Sequence, residues 1–364
     1  MSYSLFLTGF PGFITSKLIY QLTVHRSDLE FHLLIQEKFI SLAEKHREEI
    51  VRLSPSLENK IHFYIGDITL TDCGLSAKDI EFLQSTIREV WHLAAVYDLA
   101  IDRDRAFHIN LNGTKQVLGL IKQFKNLERH YYISTAYVSG DRTGVIYEEE
   151  LNVGQRFRNY YEETKFLAEV EVRNSMREIP TTIFRPGIVV GDSKTGETQK
   201  LDGPYYVINL MSKLPNTFAM SLIGSGRNTV NFVPVDFLIS AMSYLSSRVE
   251  SRDKIYHLTD PNPLTQLEIF NLLSGLLGKK LAAVPTPHFL ARFFMGLKPV
   301  YNFTGMPKEL TDYFDHPHRY DCSNTLGDLK GSGIEVPRFS SYAPQLVAYF
   351  HKIKSEFDNR KAMF

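Results

Sequence analysis

The chain has 364 residues, of which 43% are hydrophobic and 23% are charged. This composition excludes a disordered protein, and the length predicts about two domains with apolar cores. Lysine plus arginine and aspartate plus glutamate number 41 each, so the chain lacks the basic excess of a nucleic-acid-binding protein and we expect no nucleic-acid partner.

Short apolar runs alternate with amphipathic segments through the first half of the chain. One such segment is a predicted helix after residue 12, in which Ile14, Leu18 and Leu22 share a face. The alternation predicts an α/β fold with a doubly wound parallel sheet, the Rossmann arrangement. Strands are predicted at residues 4–8, 31–35, 61–65, 90–94, 130–134, 181–185 and 254–259.

The alternation weakens after about residue 190, where polar, turn-rich sequence is followed by helical stretches rich in aromatic residues and proline. We therefore predict a dinucleotide-binding Rossmann domain over residues 1–190 and 228–262. A smaller, mostly helical substrate-binding domain is predicted over 191–227 and 263–364. Within it, residues 288–297 (HFLARFFMGL) predict an amphipathic helix that is buried against the domain, lines an acyl channel or touches a membrane.

Cysteine usage and the N-terminal sequence bear on the compartment. Only Cys73 and Cys322 are present, so no disulfide framework is readable and a reducing, cytoplasmic setting is expected. The chain shows no signal-peptide pattern and no run of the roughly 20 apolar residues that cross a bilayer. The stretch 315–322 (DHPHRYDC) lacks the spacing of a zinc site, and we expect no metal.

The first strand runs directly into the glycine loop TGFPGFIT. Gly9 permits a tight turn and Gly12 lets the backbone approach a pyrophosphate at the helix N-terminus, although a plain strand–turn–helix connection fits the same letters. After the third strand, Asp67 is placed to accept from an adenine amino group and the Ile68 amide to donate to the ring. At the end of the fourth strand, Ala94 and Ala95 let a cofactor lie close to the sheet.

Eight motifs in a fixed order carry a family resemblance over about residues 4–260. They are TGFPGFIT, GDIT, HLAA, NLNGT, STAYVSG, YEETK, FRPGIVVGD and VNFVPVDFL. Together they resemble the extended branch of the short-chain dehydrogenase/reductase superfamily. The strongest likeness within it is to the acyl-thioester and fatty acyl-CoA reductase-like group, also called the male-sterility, NAD-binding group.

Tyr161 and Lys165 stand one helical turn apart on one face. A neighbouring ammonium is expected to lower the pKa of the phenol so that Tyr161 protonates a carbonyl oxygen as hydride arrives. The resemblance implies that Lys165 also holds the nicotinamide ribose. Tyr160 has Thr164 at the same spacing, so it lacks a cationic partner.

The resemblance implies further site residues. Thr135 occupies the place of the catalytic hydroxyl, with Ser134 as the alternative, and Asn110 matches an asparagine that links the lysine to solvent, although local helix hydrogen bonding explains it equally well. Pro186 and Gly187 lie beside the nicotinamide. The complete predicted cofactor set is Gly9, Phe10, Pro11, Gly12, Phe13, Ile14, Gln36, Lys38, Asp67, Ile68, Ala94, Ala95, Tyr161, Lys165, Pro186, Gly187 and Ile188.

The residues after the second strand, Gln36, Glu37 and Lys38, distinguish NAD from NADP. A basic side chain at this place binds the 2′-phosphate of NADP, whereas an acidic side chain hydrogen-bonds the 2′-hydroxyl of NAD. The chain offers Lys38 but lacks the arginine that the group usually carries at Gln36. We predict NADP, with NAD as the alternative.

These observations predict an NAD(P)-dependent oxidoreductase that delivers hydride to an acyl thioester, aldehyde or ketone, with Tyr161 as the acid. The expected substrate is an acyl-CoA, an acyl-carrier thioester or a fatty aldehyde. Two alternatives stay open. The first is a different enzyme on the same fold, either a nucleotide-sugar epimerase or dehydratase or a steroid- or flavonoid-type hydroxy dehydrogenase. The second is a non-catalytic NADP sensor. By analogy with the fold, a homodimer is expected.

Overall fold

The computed structural model describes residues 3–24, 26, 28–314 and 317–361. Its strands are β1 (Tyr3–Thr8), β2 (Leu29–Ile35), β3 (Ile61–Ile65), β4 (Ile87–His92), β5 (Arg129–Ile133), β6 (Gly144–Ile146), β7 (Thr181–Pro186), β8 (Ile188–Val190), β9 (Thr217–Ile223), β10 (Phe232–Pro234), β11 (Ile255–Leu258), β12 (Lys280–Thr286) and β13 (His318–Tyr320).

The helices are α1 (Phe13–Thr23), α2 (Ile40–Leu53), α3 (Ala77–Thr86), α4 (Arg103–Ala106), α5 (Gly113–Ile121), α6 (Tyr160–Ser175), α7 (Pro204–Lys213), α8 (Val235–Ser246), α9 (Gln266–Leu276), α10 (His288–Met295), α11 (Lys298–Thr304), α12 (Ser323–Leu329) and α13 (Phe339–Lys361). A π-helical turn, Phe107–Asn112, joins α4 to α5. Among the described residues, no helix is both long enough and apolar enough to cross a bilayer.

Seven strands form one parallel sheet in the order β11-β7-β5-β4-β1-β2-β3. This confirms the predicted doubly wound α/β fold, and each predicted strand falls on one of the seven. The central strands are buried on both faces, as in β1 and β7, because helices cover both sides of a parallel sheet. The order reverses between β1 and β4, which opens a crevice at the carboxyl ends of these strands.

Two apolar cores cover the sheet. On one face, α1 and α8 pack against the strands through residues such as Leu18 and Leu238, around the stacked rings of Trp91 and Tyr131. On the other face, α5 and α6 contribute residues such as Val117 and Val172. The alternation of strands and amphipathic helices in the sequence follows from these two interfaces.

A third core lies outside the sheet. It joins α7, α9 and the start of α13 through residues such as Ile208, Phe270 and Leu346, and a two-stranded parallel sheet of β9 and β12 flanks it. Helix α9 starts with a capping box between Thr265 and Glu268, which satisfies exposed backbone donors. This unit falls within the residues for which the sequence predicts a smaller, mostly helical domain, and its role in binding substrate stays a prediction.

The predicted boundaries of the two domains stay a prediction, but two segments cross them. Strand β13 pairs with β6, and α12 packs on β11 and α8, with Leu329 in the core beneath the sheet. The chain therefore returns to the Rossmann unit before it ends in α13.

Candidate active site

A cleft of about 680 Å³ opens at the carboxyl ends of the sheet strands. The glycine loop after β1, the segments after β2 and β3, and the end of β4 all contribute to its walls. The predicted residues that line it are Gly9, Phe10, Pro11, Gly12, Gln36, Lys38, Asp67, Ile68, Ala94 and Ala95. The crevice therefore lies at the point where ligands bind in open α/β sheets.

The glycine loop is closely packed against the end of β4. Gly9 has a φ of +90°, and a Cβ at that position would lie 2.9 Å from the Ala94 nitrogen. A Cβ on Gly12 would lie 2.6 Å from the Gly9 oxygen. Any larger residue at either position would disrupt the loop, and the loop leads directly into the N-terminus of α1, a favourable place for a pyrophosphate.

The carboxylate of Asp67 is held from both sides. Its Oδ1 accepts from the backbone and hydroxyl of Thr69, each at 2.9 Å, and its Oδ2 accepts from Gln36 Nε2 at 2.6 Å. Gln36 therefore orients Asp67 across the cleft. Among the residues predicted to line this cleft after β2, Lys38 is therefore the one that can supply positive charge.

Two further basic residues line the same cleft, Arg105 and His108. They lie in the helical segment after β4, where no sequence motif marks them. The sequence analysis missed both, because the approach of this segment to the β2 loop is a long-range contact.

A second cavity, of about 350 Å³, shares Gly9, Gly12, Ala94 and Ala95 with the first, and we call it the reaction cleft. It is lined by the remaining predicted cofactor residues and by Ser134 and Thr135. The residues are Phe13, Ile14, Ser134, Thr135, Tyr161, Lys165, Pro186, Gly187 and Ile188. The structure thus brings together every predicted cofactor residue along two adjoining cavities.

Tyr161 lies in the first turn of α6 and lines the reaction cleft together with Thr135. Burial raises the pKa of Tyr161 above its ordinary value, although the Thr135 hydroxyl opposes the shift. The expectation that a neighbouring ammonium lowers this pKa is therefore wrong. The neighbouring Tyr160 is 40% exposed, in agreement with a residue that faces away from the cleft.

The Lys165 ammonium is directed toward β5. Its Nζ donates to the Ile133 carbonyl at 2.8 Å and to the Tyr132 hydroxyl at 3.0 Å. Burial lowers the pKa of Lys165 to about 7, against the opposing effect of Glu169. Because the ammonium is hydrogen-bonded to these groups of β5, it does not offset the rise in the pKa of Tyr161 that burial causes.

Ser134 and Thr135 have different partners. Ser134 Oγ donates to Glu169 Oε2 at 2.6 Å, and Glu169 also pairs with Arg185 at 2.6 Å. Thr135 Oγ1 accepts from the Tyr137 nitrogen at 3.3 Å, and of the two hydroxyls only that of Thr135 influences the pKa of Tyr161, which it lowers. This geometry favours Thr135 as the substrate-facing hydroxyl and gives Ser134 a structural role at the strand end.

Asn110 lies in the π-helical turn and outside the residues that line the two cavities. Its Oδ1 accepts from the Val96 nitrogen at 2.9 Å, and its Nδ2 donates to the Val96 carbonyl at 3.3 Å and to Thr164 at 3.2 Å. These bonds fix the segment after β4. The predicted link from Asn110 to Lys165 through water stays a prediction.

Aromatic residues that no motif signals complete the reaction cleft. The ring centroid of Tyr97 lies 5.1 Å from that of Tyr161 in an edge-on contact, and Lys200 donates to the Tyr97 carbonyl at 2.8 Å. On the other side, Tyr137 contacts Tyr313 at 5.0 Å between centroids. Residues around 200 and 313 therefore close the cleft from the smaller unit.

A third, largely apolar cavity of about 510 Å³ adjoins the reaction cleft, and we call it the apolar cavity. Four residues line both: Ile188, Gly203, Leu310 and Tyr313. Its other walls come from α7, β9, α9, α10 and α11, with side chains that include Met220, Leu222, Phe232, Phe270, Phe294 and Phe303.

Helix α10 corresponds to the amphipathic segment predicted at 288–297. Ala291, Phe294 and Met295 line the apolar cavity, as expected for a channel-lining helix. The default expectation, an amphipathic helix with its apolar face buried, is wrong for Phe289 and Phe293, which are 69% and 64% exposed. Its apolar residues are too numerous for the single face that it buries.

Within the described ranges, no group of three or more His, Cys, Asp or Glu side chains could hold a metal ion. Asp315 and His316, part of the stretch considered above, lie outside the described residues.

Comparison with known proteins places this geometry in a family. Residues 7–242 match the model of an NAD-binding family described as male sterility protein. The fatty acyl-CoA reductase wat of Drosophila melanogaster is 27% identical over 271 residues, which cover 65% of this chain and 52% of that protein. The chain thus spans about half the length of this relative.

Solved structures with the same fold include the terminal R domain of the myxalamid PKS-NRPS pathway, with a TM-score of 0.80 and 24% identity over 98% of this chain and 92% of that one. A UDP-glucuronic acid 4-epimerase from Bacillus cereus in complex with NAD follows the same fold at a TM-score of 0.67 and 21% identity, covering 97% and 98%. The family match extends over the glycine loop, Thr135, Tyr161, Lys165 and Gly187, and the chain belongs to the male sterility protein family of NAD(P)-binding proteins.

Proposed function

We propose that this protein reduces the carbonyl of an acyl thioester with NADPH. One observation carries the proposal: the apolar cavity adjoins the cleft in which Thr135, Tyr161 and Lys165 meet. The likeness to a fatty acyl-CoA reductase supports the same reaction class, with fatty aldehydes as the alternative carbonyl substrates.

The residues present fit a dinucleotide. Gly9 and Gly12 leave a cradle that a Cβ would fill, and Asp67 and Ile68 line the far end of the same cleft. When bound, the nicotinamide supplies a hydride for the carbonyl carbon. Pro186, Gly187 and Ile188 shape the wall against which the ring would rest.

Thr135 and Tyr161 would hold the carbonyl oxygen between two hydroxyl donors. Such preorganised donors stabilise the negative charge that develops on oxygen during reduction. Because its pKa is raised, Tyr161 is protonated throughout the neutral range and has a proton to donate. Lys165 would contact the ribose side of the cofactor from one turn along α6.

The acyl chain would enter the apolar cavity past Leu310 and Tyr313. This cavity also bears on the nucleotide-sugar alternative. A sugar nucleotide needs a polar, hydrogen-bonding site, and the walls here are mainly aliphatic and aromatic side chains. We therefore favour an acyl substrate over a sugar.

The cofactor is proposed to be NADPH. Lys38, Arg105 and His108 line the adenosine end of the cleft, and Gln36 is engaged with Asp67. The positive charge of Lys38 and Arg105 at this place favours the 2′-phosphate of NADP over the free hydroxyl of NAD.

We further propose that the acyl group of the substrate is attached through its thioester to a molecule that contains phosphate groups. A cavity of about 540 Å³ is lined by Arg227, His318 and Arg319, and the residues that line it include no acid. In the described part of the chain neither guanidinium forms an ion pair with an acid. The His318 ring lies 6.3 Å from the ring of Tyr137, which lines the reaction cleft. This charge suits the phosphates of coenzyme A or of a carrier-bound pantetheine arm.

Two further proposals concern the cellular compartment and the oligomeric state. Cys73 and Cys322 are buried free thiols, which suits a reducing compartment such as the cytoplasm. A homodimer is proposed on analogy with the fold alone, and sedimentation analysis would test it.

The function is tested by NADPH consumption over a panel of acyl-CoAs, acyl thioesters of N-acetylcysteamine and fatty aldehydes. Tyr161→Phe should lower the turnover of the best substrate by about 10²–10⁴-fold, because it removes the proton donor. Tyr160→Phe is the matched control and should behave as wild type. Near-normal turnover by Tyr161→Phe would refute the mechanism, and NADPH oxidation with no member of the panel would refute the function.

A further inference from the structure

The chemistry proposed above does not use Tyr132, yet this residue is the side-chain partner of Lys165. Tyr132 lies at the end of β5 and is buried. Its hydroxyl accepts from Lys165 Nζ at 3.0 Å, and its ring lies 4.5 Å from the same nitrogen. The buried ammonium therefore meets both a hydroxyl and an aromatic face of one residue.

A buried network continues from Tyr132 to the glycine-loop side of the cleft. The Tyr132 ring packs against the ring of His92, with the two centroids 5.6 Å apart. His92 Nε2 lies 3.0 Å from Thr114 Oγ1, and His92 Nδ1 lies 2.8 Å from Thr8 Oγ1. Thr8 Oγ1 in turn accepts from the Ala94 nitrogen at 3.1 Å. Ala94 lines both the adenosine end of the cleft and the reaction cleft.

The donors and acceptors of this chain fix its direction. Thr114 has a single hydroxyl proton, which goes to the Asn110 carbonyl at 2.7 Å, so its oxygen accepts from His92 Nε2. His92 Nδ1 then accepts from Thr8. Burial lowers the pKa of His92 well below its ordinary value, so a neutral imidazole completes the chain without repelling Lys165.

We propose that Tyr132 is a positioning residue for Lys165 and is itself supported by the ring of His92, which Thr114 and Thr8 hold between the Asn110 carbonyl and the Ala94 wall of the cofactor cleft. The chain ends on backbone groups of Asn110 and Ala94, so it holds the ammonium in place and is not an exit for protons. Without the Tyr132 hydroxyl, the Ile133 carbonyl is the remaining hydrogen-bond acceptor of Lys165 in the described structure. The proposal rests on the function proposed above.

The test compares Tyr132→Phe with Tyr131→Phe. Tyr131 is the next residue of β5, equally buried, and its hydroxyl donates to the Ser246 carbonyl at 2.9 Å on the opposite face of the sheet. Each substitution removes one buried hydroxyl, so general losses of stability are matched. The measurements are the Kd for NADPH, followed by its fluorescence, and the pH dependence of kcat with the best thioester.

Tyr132→Phe should weaken NADPH binding and lower kcat by about tenfold each, the effect of one hydrogen bond to a charged group. The Tyr132 acceptor favours the charged form of Lys165, so its loss lowers the pKa of Lys165 further. The fall of kcat with rising pH should therefore begin at a lower pH than in wild type. Tyr131→Phe should leave both measurements at their wild-type values.

If Tyr132→Phe does not fold, Thr114→Val removes the hydrogen bond that holds the His92 ring against Tyr132 and should shift both measurements in the same direction by less. Equal behaviour of Tyr132→Phe and Tyr131→Phe would overturn the proposal. Failure of the wild-type protein to turn over any thioester would refute the proposed function instead, and the comparison of NADPH affinities would still decide the role of Tyr132.

Discussion

A buried carboxylate beneath the reaction cleft offers a quantitative test of the structure. Glu169 is fully buried on α6, pairs with Arg185 at 2.6 Å and with Arg173 at 3.0 Å, and accepts from Ser134 at 2.6 Å. Arg185 is itself 1% exposed. The substitution Glu169→Gln keeps the shape of the side chain and removes its charge.

The expected loss is large because two arginines lose their common counter-charge. Removal of one partner from a buried ion pair costs about 3–5 kcal/mol, since the other charge stays buried without compensation. Glu171→Gln is the matched control on the same helix. Its carboxylate pairs with Lys115 at 3.0 Å, with both side chains well exposed, and such a pair contributes less than about 1 kcal/mol.

The assay is the free energy of unfolding in urea, measured at several pH values. Burial alone would raise the pKa of Glu169, but Arg185 and Arg173 outweigh it and lower this pKa to about 2. The unfolded carboxyl titrates near 4.3. The stabilisation is therefore complete above that value and disappears as the pH falls toward 2. The gap between wild type and Glu169→Gln should shrink over this range.

Two outcomes would refute the reasoning. A loss of less than about 1 kcal/mol at neutral pH, equal to the control, would mean that the arginines find other partners or water. A gap that does not change between pH 5 and the acid limit of folding would mean that Glu169 is not the charged group that the geometry requires.

Three further predictions concern the site. Lys38→Ala should raise the KM for NADPH by about tenfold and leave that for NADH unchanged, because it removes a charged contact to the 2′-phosphate; Lys45→Ala is the exposed control. Leu310→Trp should lower kcat/KM for a long-chain acyl thioester relative to an acetyl thioester by about tenfold, because it narrows the junction between the two cavities; equal losses for both chains would contradict this. Arg227→Ala and Arg319→Ala should each raise the KM for an acyl-CoA by about tenfold and leave that for the N-acetylcysteamine thioester unchanged; the exposed Arg52→Ala is the control, and equal effects on both thioesters would exclude a phosphate site.

The elements of the Rossmann unit were predictable because their signals are local. A strand buried on both faces is an apolar run, as in β1, and the helix after it shows a 3.6-residue period that places Leu18 and Leu22 toward the sheet. The glycine loop is equally local, since Gly9 needs a positive φ whatever lies around it. Each of these features is encoded within about ten consecutive residues.

The smaller unit was predictable only in outline. Strands β9 and β12 pair although 56 residues, 224–279, separate them in the sequence. Strand β13 pairs with β6, which lies far earlier in the sequence. Neither pairing leaves a periodic signal in a short window. The same holds for Arg105, Tyr97 and Tyr313, which reach the two cavities through long-range packing. The sequence therefore predicts the residues that carry a local motif and misses many of those that surround them.

The acidity of Tyr161 shows where spacing stops being informative. An interval of four residues places Lys165 on the same face of α6, but it specifies neither where the ammonium points nor how much water the phenol loses. Here the ammonium binds β5 and desolvation dominates, so the pKa of Tyr161 rises. A phenol that keeps its proton can still donate it to an alkoxide, which is a much stronger base than a phenolate. The spacing of four residues therefore identifies a candidate proton donor, whereas the acidity of that donor depends on the burial of its hydroxyl and on the direction of the ammonium.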